Sequence, residues 1–116
     1  MRTIFAGSRH ISPKTALTLV TIAKHEATWE ITHVLHGDCR GVDKASECLG
    51  LPTTVYPADW KTHGKAAGPI RNQTMVENAD ALIAIWDGKS RGTLDIIQRA
   101  RKAGLNVLVK RIDGIA

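Results

Sequence analysis

Cysteine is scarce: of 116 residues only Cys39 and Cys48 are cysteines, and they form neither a CxxC pair nor a metal-ligand pattern. That argues against a disulfide-framed or zinc-stapled fold and for reduced, structural thiols. Aromatic residues are few as well, with three Trp, one Tyr and one Phe. No apolar run approaches the roughly 20 residues that a membrane-spanning helix needs. No secretory leader pattern precedes the strand-like Arg2-Thr3-Ile4-Phe5-Ala6, so a cytoplasmic location is expected. Low-complexity tracts and internal repeats are missing too, which leaves a single ordered domain over 1–116.

Three common signatures are also lacking. The phosphate loop needs GxxxxGK followed by Ser or Thr, and the glycine required five residues before Gly88 would fall at Ile83. The GxGxxG fingerprint of dinucleotide sites and the GxSxG nucleophile turn do not occur. His10, His25 and His63 have no Cys or carboxylate partner at ligand spacing, and His33 and His36 fall on opposite faces of a strand. No metal and no cofactor are expected.

What the chain does have is glycine in four short turns. They are Gly7-Ser8-Arg9, Gly37-Asp38-Cys39-Arg40-Gly41-Val42-Asp43, Gly68-Pro69-Ile70-Arg71-Asn72 and Asp87-Gly88-Lys89-Ser90-Arg91-Gly92-Thr93. The first, second and fourth follow apolar runs, and the last three open helical patterns. Free N–H groups at helix starts attract anions, and glycine lets the backbone approach them closely. The charge balance agrees, since 16 Lys and Arg against 11 Asp and Glu give a net charge of +5. The basic residues are scattered, however, so nucleic-acid binding is allowed by the charge and not favoured.

Periodicity places strands at 2–6, 31–35, 53–56, 81–86 and 106–110. Between them lie a helix entered through Ser12-Pro13, a short helix at 41–49 stopped by Gly50, a helix at 69–78 and a helix opened by Gly92-Thr93. Residues 58–67 read as a long loop. The apolar run at 81–86 marks a central parallel strand covered on both faces. The expected fold is therefore α/β: a Rossmann-like, three-layer, doubly wound sheet of about five mostly parallel strands, with its ligand at the carboxyl edge.

The sequence resembles a known family along nearly its whole length. GSR after the first strand, GxxxGxD after the second, "PADWKTHGKAAGPIRNQTM" in the middle and "DGKSRGT" after the fourth are similar to the small YspA-like proteins of the SLOG superfamily. That superfamily includes the LOG phosphoribohydrolases and the DNA-processing protein DprA. The resemblance implies a Rossmann-like nucleotide-binding protein of a branch found in phages and bacteria. In the LOG pattern PGGxGTxxE the assisting glutamate would fall at Ile96, with Asp95 one residue early and turned by about 100° on the helix.

Each candidate has a functional and a structural reading. Gly7 and Ser8 either bind phosphate or only form the turn, and Arg9 either pairs with phosphate or is solvated. Gly37 and Gly41 bracket a tight turn. Asp43 bonds a ribose hydroxyl or a backbone N–H, or else caps its helix. Arg71 and Asn72 fall in a first helical turn, where the dipole opposes an exposed arginine and a bound anion would explain it. Ser90, Arg91, Gly92 and Thr93 form a phosphate turn or an N-cap. Trp60 stacks on a base or packs its loop, and His36 falls at a strand end near the site. The expected ligand is a nucleotide of the AMP or ADP-ribose class. The rival readings are N-glycosidic hydrolysis, assisted by Asp38, Asp43, Asp87 or Asp95 with Arg71, and DprA-like binding of single-stranded DNA. The sequence leaves the oligomeric state open, and the stripe of Ile96, Ile97 and Ala100 allows a homodimer or higher homo-oligomer.

Overall fold

Apolar, β-branched runs alternate with amphipathic segments, so strand and helix alternate along the chain. The computed structural model, in which residues 1–112 are described, contains strands β1 (Arg2–Gly7), β2 (His33–His36), β3 (Thr53–Val55), β4 (Ala81–Trp86) and β5 (Asn106–Arg111). Its helices are α1 (Pro13–Glu26), α2 (Val42–Ser46), α3 (Trp60–His63), α4 (Ala67–Glu77) and α5 (Arg91–Lys102), with 3-10 turns at Glu47–Leu49 and Gly64–Ala66. All strand pairings are parallel, in the order β3-β2-β1-β4-β5. This is the expected doubly wound α/β architecture.

The two faces of the sheet are filled by alternate residues of the same strands. Phe5, Val34, Ile83 and Ile85 face α1 and α2, meeting Ala16, Val20, Ala23 and Val42. Ile4, Leu35, Leu82 and Ala84 face the other way, against Met75 and Val76 of α4 and Ile96, Ile97 and Ala100 of α5. Each such large apolar side chain, fully buried, contributes about 1.5–3 kcal/mol of transfer free energy. The Ile96, Ile97 and Ala100 stripe is buried within this core and offers no face to a second copy.

Helix starts follow local rules. The Ser12 hydroxyl accepts from the Thr15 N–H at 3.3 Å with Pro13 at the first helical position, and Ser90 accepts from Thr93 N–H at 3.4 Å. Three boundaries differ from the sequence reading. β2 begins at His33 because its ladder with β1 starts at the pair Arg2 and His33, leaving Ile31 as a buried wedge ahead of it. Residues 60–66 are helical rather than loop, since Asp59 caps α3 by accepting from Thr62 N–H; exposed on most sides, this turn has no apolar period to betray it. α4 begins at Ala67, so Arg71 and Asn72 lie beyond its first turn, and the dipole argument for Arg71 falls away.

Chain order reverses across the sheet at β1, between β2 and β4. In such sheets ligands sit in the crevice outside the strand ends at this point. Ser8 closes its floor: its N–H donates to the Ile85 carbonyl at 3.2 Å, and its buried hydroxyl accepts from Asp87 N–H at 3.2 Å. Gly7 is required by packing, because a Cβ there would lie 2.8 Å from the Ile85 oxygen and collide with Val42. Gly7→Ala is expected to lower stability by about 1–3 kcal/mol, the usual cost of overpacking, read as a shift in the urea midpoint. An unchanged midpoint would mean that α2 yields freely.

Candidate functional site

The β2–α2 turn is built around one buried carboxylate. Asp43, only 5% exposed, accepts at Oδ2 from the N–H of Gly37 at 3.0 Å and of Cys39 at 3.2 Å. Of its alternatives, the backbone role is the one seen; the helix itself starts at Gly41, whose φ of 77° suits glycine, with no side-chain cap. Burial pushes the Asp43 carboxyl up to about 6, against the opposing pull of the Cys39 N–H, His36, the Gly37 N–H and Arg71. Beneath the turn, buried His36 accepts at Nδ1 from Asp38 N–H at 3.0 Å, and its Nε2 lies 2.7 Å from Glu47. His36 is therefore structural and does not line the cleft.

Arg71 reaches across from α4. Its Nη1 donates to the Gly37 carbonyl at 2.7 Å and its Nε to Asn72 Oδ1 at 2.9 Å. The guanidinium lies where a Cβ of residue 37 would be, so a side chain there would push the end of Arg71 aside. Asn72 then donates to the Gly92 carbonyl at 3.3 Å and to Asp95 Oδ2 at 2.9 Å. One chain of bonds thus links the ends of β2, α4 and α5.

The β4–α5 turn is shaped by Asp87, whose Oδ1 accepts from Lys89 and Ser90 N–H, both at 2.8 Å. Those bonds, the Ser90 N–H foremost, hold its carboxyl below the usual range. At the start of α5 the N–H groups of Arg91 and Gly92 have no acceptor among the described residues. Gly92 has neither a positive φ nor a close neighbour: nothing lies within 4 Å of where its Cβ would be. Its backbone borders open space.

That space is a cavity of about 70 Å³ lined by Gly7, Arg9, Cys39, Asp43, Arg71, Asn72, Ser90, Gly92 and Thr93, with Ala6, Met75 and Ile96 as its apolar part. Arg9, Cys39 and Arg71 are shared with an adjoining hollow of about 320 Å³, which Gly37, Asp38, Arg40, Pro57, Ala58 and Trp60 complete. Arg9 has no acceptor among the described residues. Trp60 is 53% exposed, and its ring edge packs at Gly68, so it packs and also offers a face. Gly41 lies outside both hollows, as do Ser8 and the exposed side chain of Arg91.

Of the carboxylates weighed for catalysis, Asp43 alone lines the small cavity. Asp38 is exposed and paired with Lys44, Asp87 holds its own turn, and Asp95 pairs with Arg99 outside it at 2.9 Å. Ile96 takes the lining position instead, as the turn of the helix demands. Cys39, Met75 and Ile96 were missed as site residues. Their signal was spacing: Met75 lies one helical turn beyond Arg71, Ile96 one beyond Gly92 and Thr93, and Cys39 sits inside the Gly37–Gly41 turn.

Fold and cleft together define a Rossmann-like α/β protein with a polar, arginine-flanked crevice at its topological switch point. No protein-family model matches the sequence. The Gene 61 protein of Mycobacterium phage D29 is 31% identical over 118 aligned positions, covering 92% of this chain and 94% of that protein. The chain belongs to the family of this phage protein. No helix among the described residues is long and apolar enough to cross a membrane, and no group of three His, Cys, Asp or Glu there could hold a metal ion.

Asp43 also sets a pH dependence. Its folded-state pKa of about 6 exceeds the ordinary 3.8, so the native state holds the extra proton in that window and stability falls as pH rises through it. The full shift corresponds to about 3 kcal/mol. Urea midpoints of the wild type should decline from about pH 4 to about pH 7, and those of Asp43→Asn should be nearly flat there. Asp38, Asp59 and Asp87 are shifted downward and act only below this window, so a flat wild-type profile would show that Asp43 stays ionised.

Proposed function

We propose that the cleft binds a nucleotide or nucleotide-derived ligand of the AMP or ADP-ribose class, serving as a sensor or sequestering protein. The phosphate occupies the small cavity, facing the N–H group of Gly92, the hydroxyls of Ser90 and Thr93, and the guanidinium groups of Arg9 and Arg71. The ribose and base extend into the adjoining hollow, where the open face of Trp60 accepts a flat ring. The observation that carries this reading is Gly92. Glycine within a helix costs about 1 kcal/mol relative to alanine, and here neither backbone conformation nor packing requires it. What it leaves open is an approach to its own free N–H group at a helix start, flanked by Arg9 and Arg71.

The similarity to SLOG proteins supports the same reading. A hydrolytic reading has one observation in its favour, the single carboxyl that lines the cavity. Release of free base from AMP, lost in Asp43→Asn, would establish it, and a flat time course with every nucleoside monophosphate would end it.

Titration calorimetry with AMP and ADP-ribose tests the binding reading. Gly92→Ala should leave stability unchanged or raise it by up to about 1 kcal/mol, while Gly92→Val should weaken binding at least roughly tenfold by filling the approach. No heat from either nucleotide with folded wild type would overturn the proposal. Equal affinity in wild type and Gly92→Val would move the phosphate elsewhere.

A further inference from the structure

Among the polar groups lining the small cavity, one runs against an anion site. Asp43 is 5% exposed, its Oδ2 is engaged by two backbone N–H groups, and its Oδ1 has no partner among the described residues. It lines the same cavity as Arg9, Arg71 and the start of α5. An ionised carboxylate there would repel the phosphate that its neighbours attract, and a buried like-charge pair cannot both stay ionised at short range.

We infer that the cavity takes up a phosphate group together with one proton, shared between Asp43 Oδ1 and a phosphate oxygen. The inference rests on the proposed function only for what is attached to that phosphate. The proton comes from solvent, and no other bond forms or breaks.

The groups that face Asp43 are two arginines, a histidine and a thiol. Arg71 from α4 and Arg9 from the β1–α1 loop keep their charge at any relevant pH. His36 from β2 has both ring nitrogens engaged. Cys39, in the same turn, has its thiol pushed up by burial and by Asp43, and stays neutral. The Asp43 carboxyl is already held up to about 6 by burial, and a phosphate monoester loses its second proton near pH 6, at about the same point. Bringing the two together favours retention of one proton between them.

The geometry also distinguishes Asp43→Asn from a simple loss. The amide oxygen can accept from Gly37 and Cys39 N–H, which leaves the amide NH₂ to donate to phosphate as a protonated carboxyl would.

Calorimetry of the full chain with AMP, inorganic phosphate and sulfate, at about pH 7.5 in buffers of different ionisation enthalpy, reads the proton directly. Wild type should take up close to one proton per AMP or sulfate bound and less than one per inorganic phosphate, part of which already carries that proton near pH 7.5, and its dissociation constant for AMP should rise nearly tenfold per pH unit above about pH 7. Sulfate carries no proton of its own in this range, so uptake with sulfate places the proton on the protein even if the Asn variant does not fold. Asp43→Asn should bind with no uptake and a flat pH profile. Buffer-independent heats in wild type, or uptake that persists in Asp43→Asn, would overturn the inference. Phosphate binding with uptake, without AMP binding, would uphold it and remove the nucleotide reading. AMP binding without uptake would do the reverse, and no binding of any anion would overturn both.

Discussion

All five strands run in the same direction, and the placement of the site depends on this constraint. Parallel pairing forces each connection to cross back over a face of the sheet, so every strand-to-helix turn lies at the carboxyl edge. The turns after β1, β2 and β4 are far apart in sequence, yet the order β3-β2-β1-β4-β5 sets them side by side. Reversal of chain order at β1 then opens a crevice between α2 and α5, and Ser8 stitches its floor to β4. A site assembled this way sits on rigid strand ends, which suits recognition that depends on fixed N–H groups.

In the turns around that crevice the glycines divide by physical role. Gly7 is glycine because Val42 and the β4 backbone occupy the space a side chain would need, and at Gly37 the movable end of Arg71 fills that space. Gly41 and Gly88 satisfy positive φ. Gly92 answers to neither demand. The distinction turns a generic glycine-rich edge into one position where the missing side chain leaves room for something else.

Asp43 shows how one residue serves fold and site together. Burying a carboxyl is costly unless it is well hydrogen-bonded, and two N–H groups of its own turn meet that need at one oxygen only. The turn is thereby held in the shape that presents Gly37 to Arg71. Asp43 lines the same cavity as Arg9 and Arg71.

The sequence by itself determined the alternation of strand and helix, the burial of β4, the caps at Ser12 and Ser90, and the approximate set of residues at the edge. Those are local properties, carried by periodicity, capping chemistry and glycine placement. Tertiary structure alone decided which of these residues meet. It turned Ser8 into a buried stitch and Asp95 toward Arg99. It drew Arg71 onto Gly37 across 34 residues of chain, and brought Cys39, Met75 and Ile96 into the lining. The helical turn at 60–66 was hidden for the same reason: its place is set by contacts such as Trp60 against Gly68, and an exposed turn writes no period into the sequence. Side-chain direction at a turn depends on neighbours contributed by distant strands, and no local pattern encodes those.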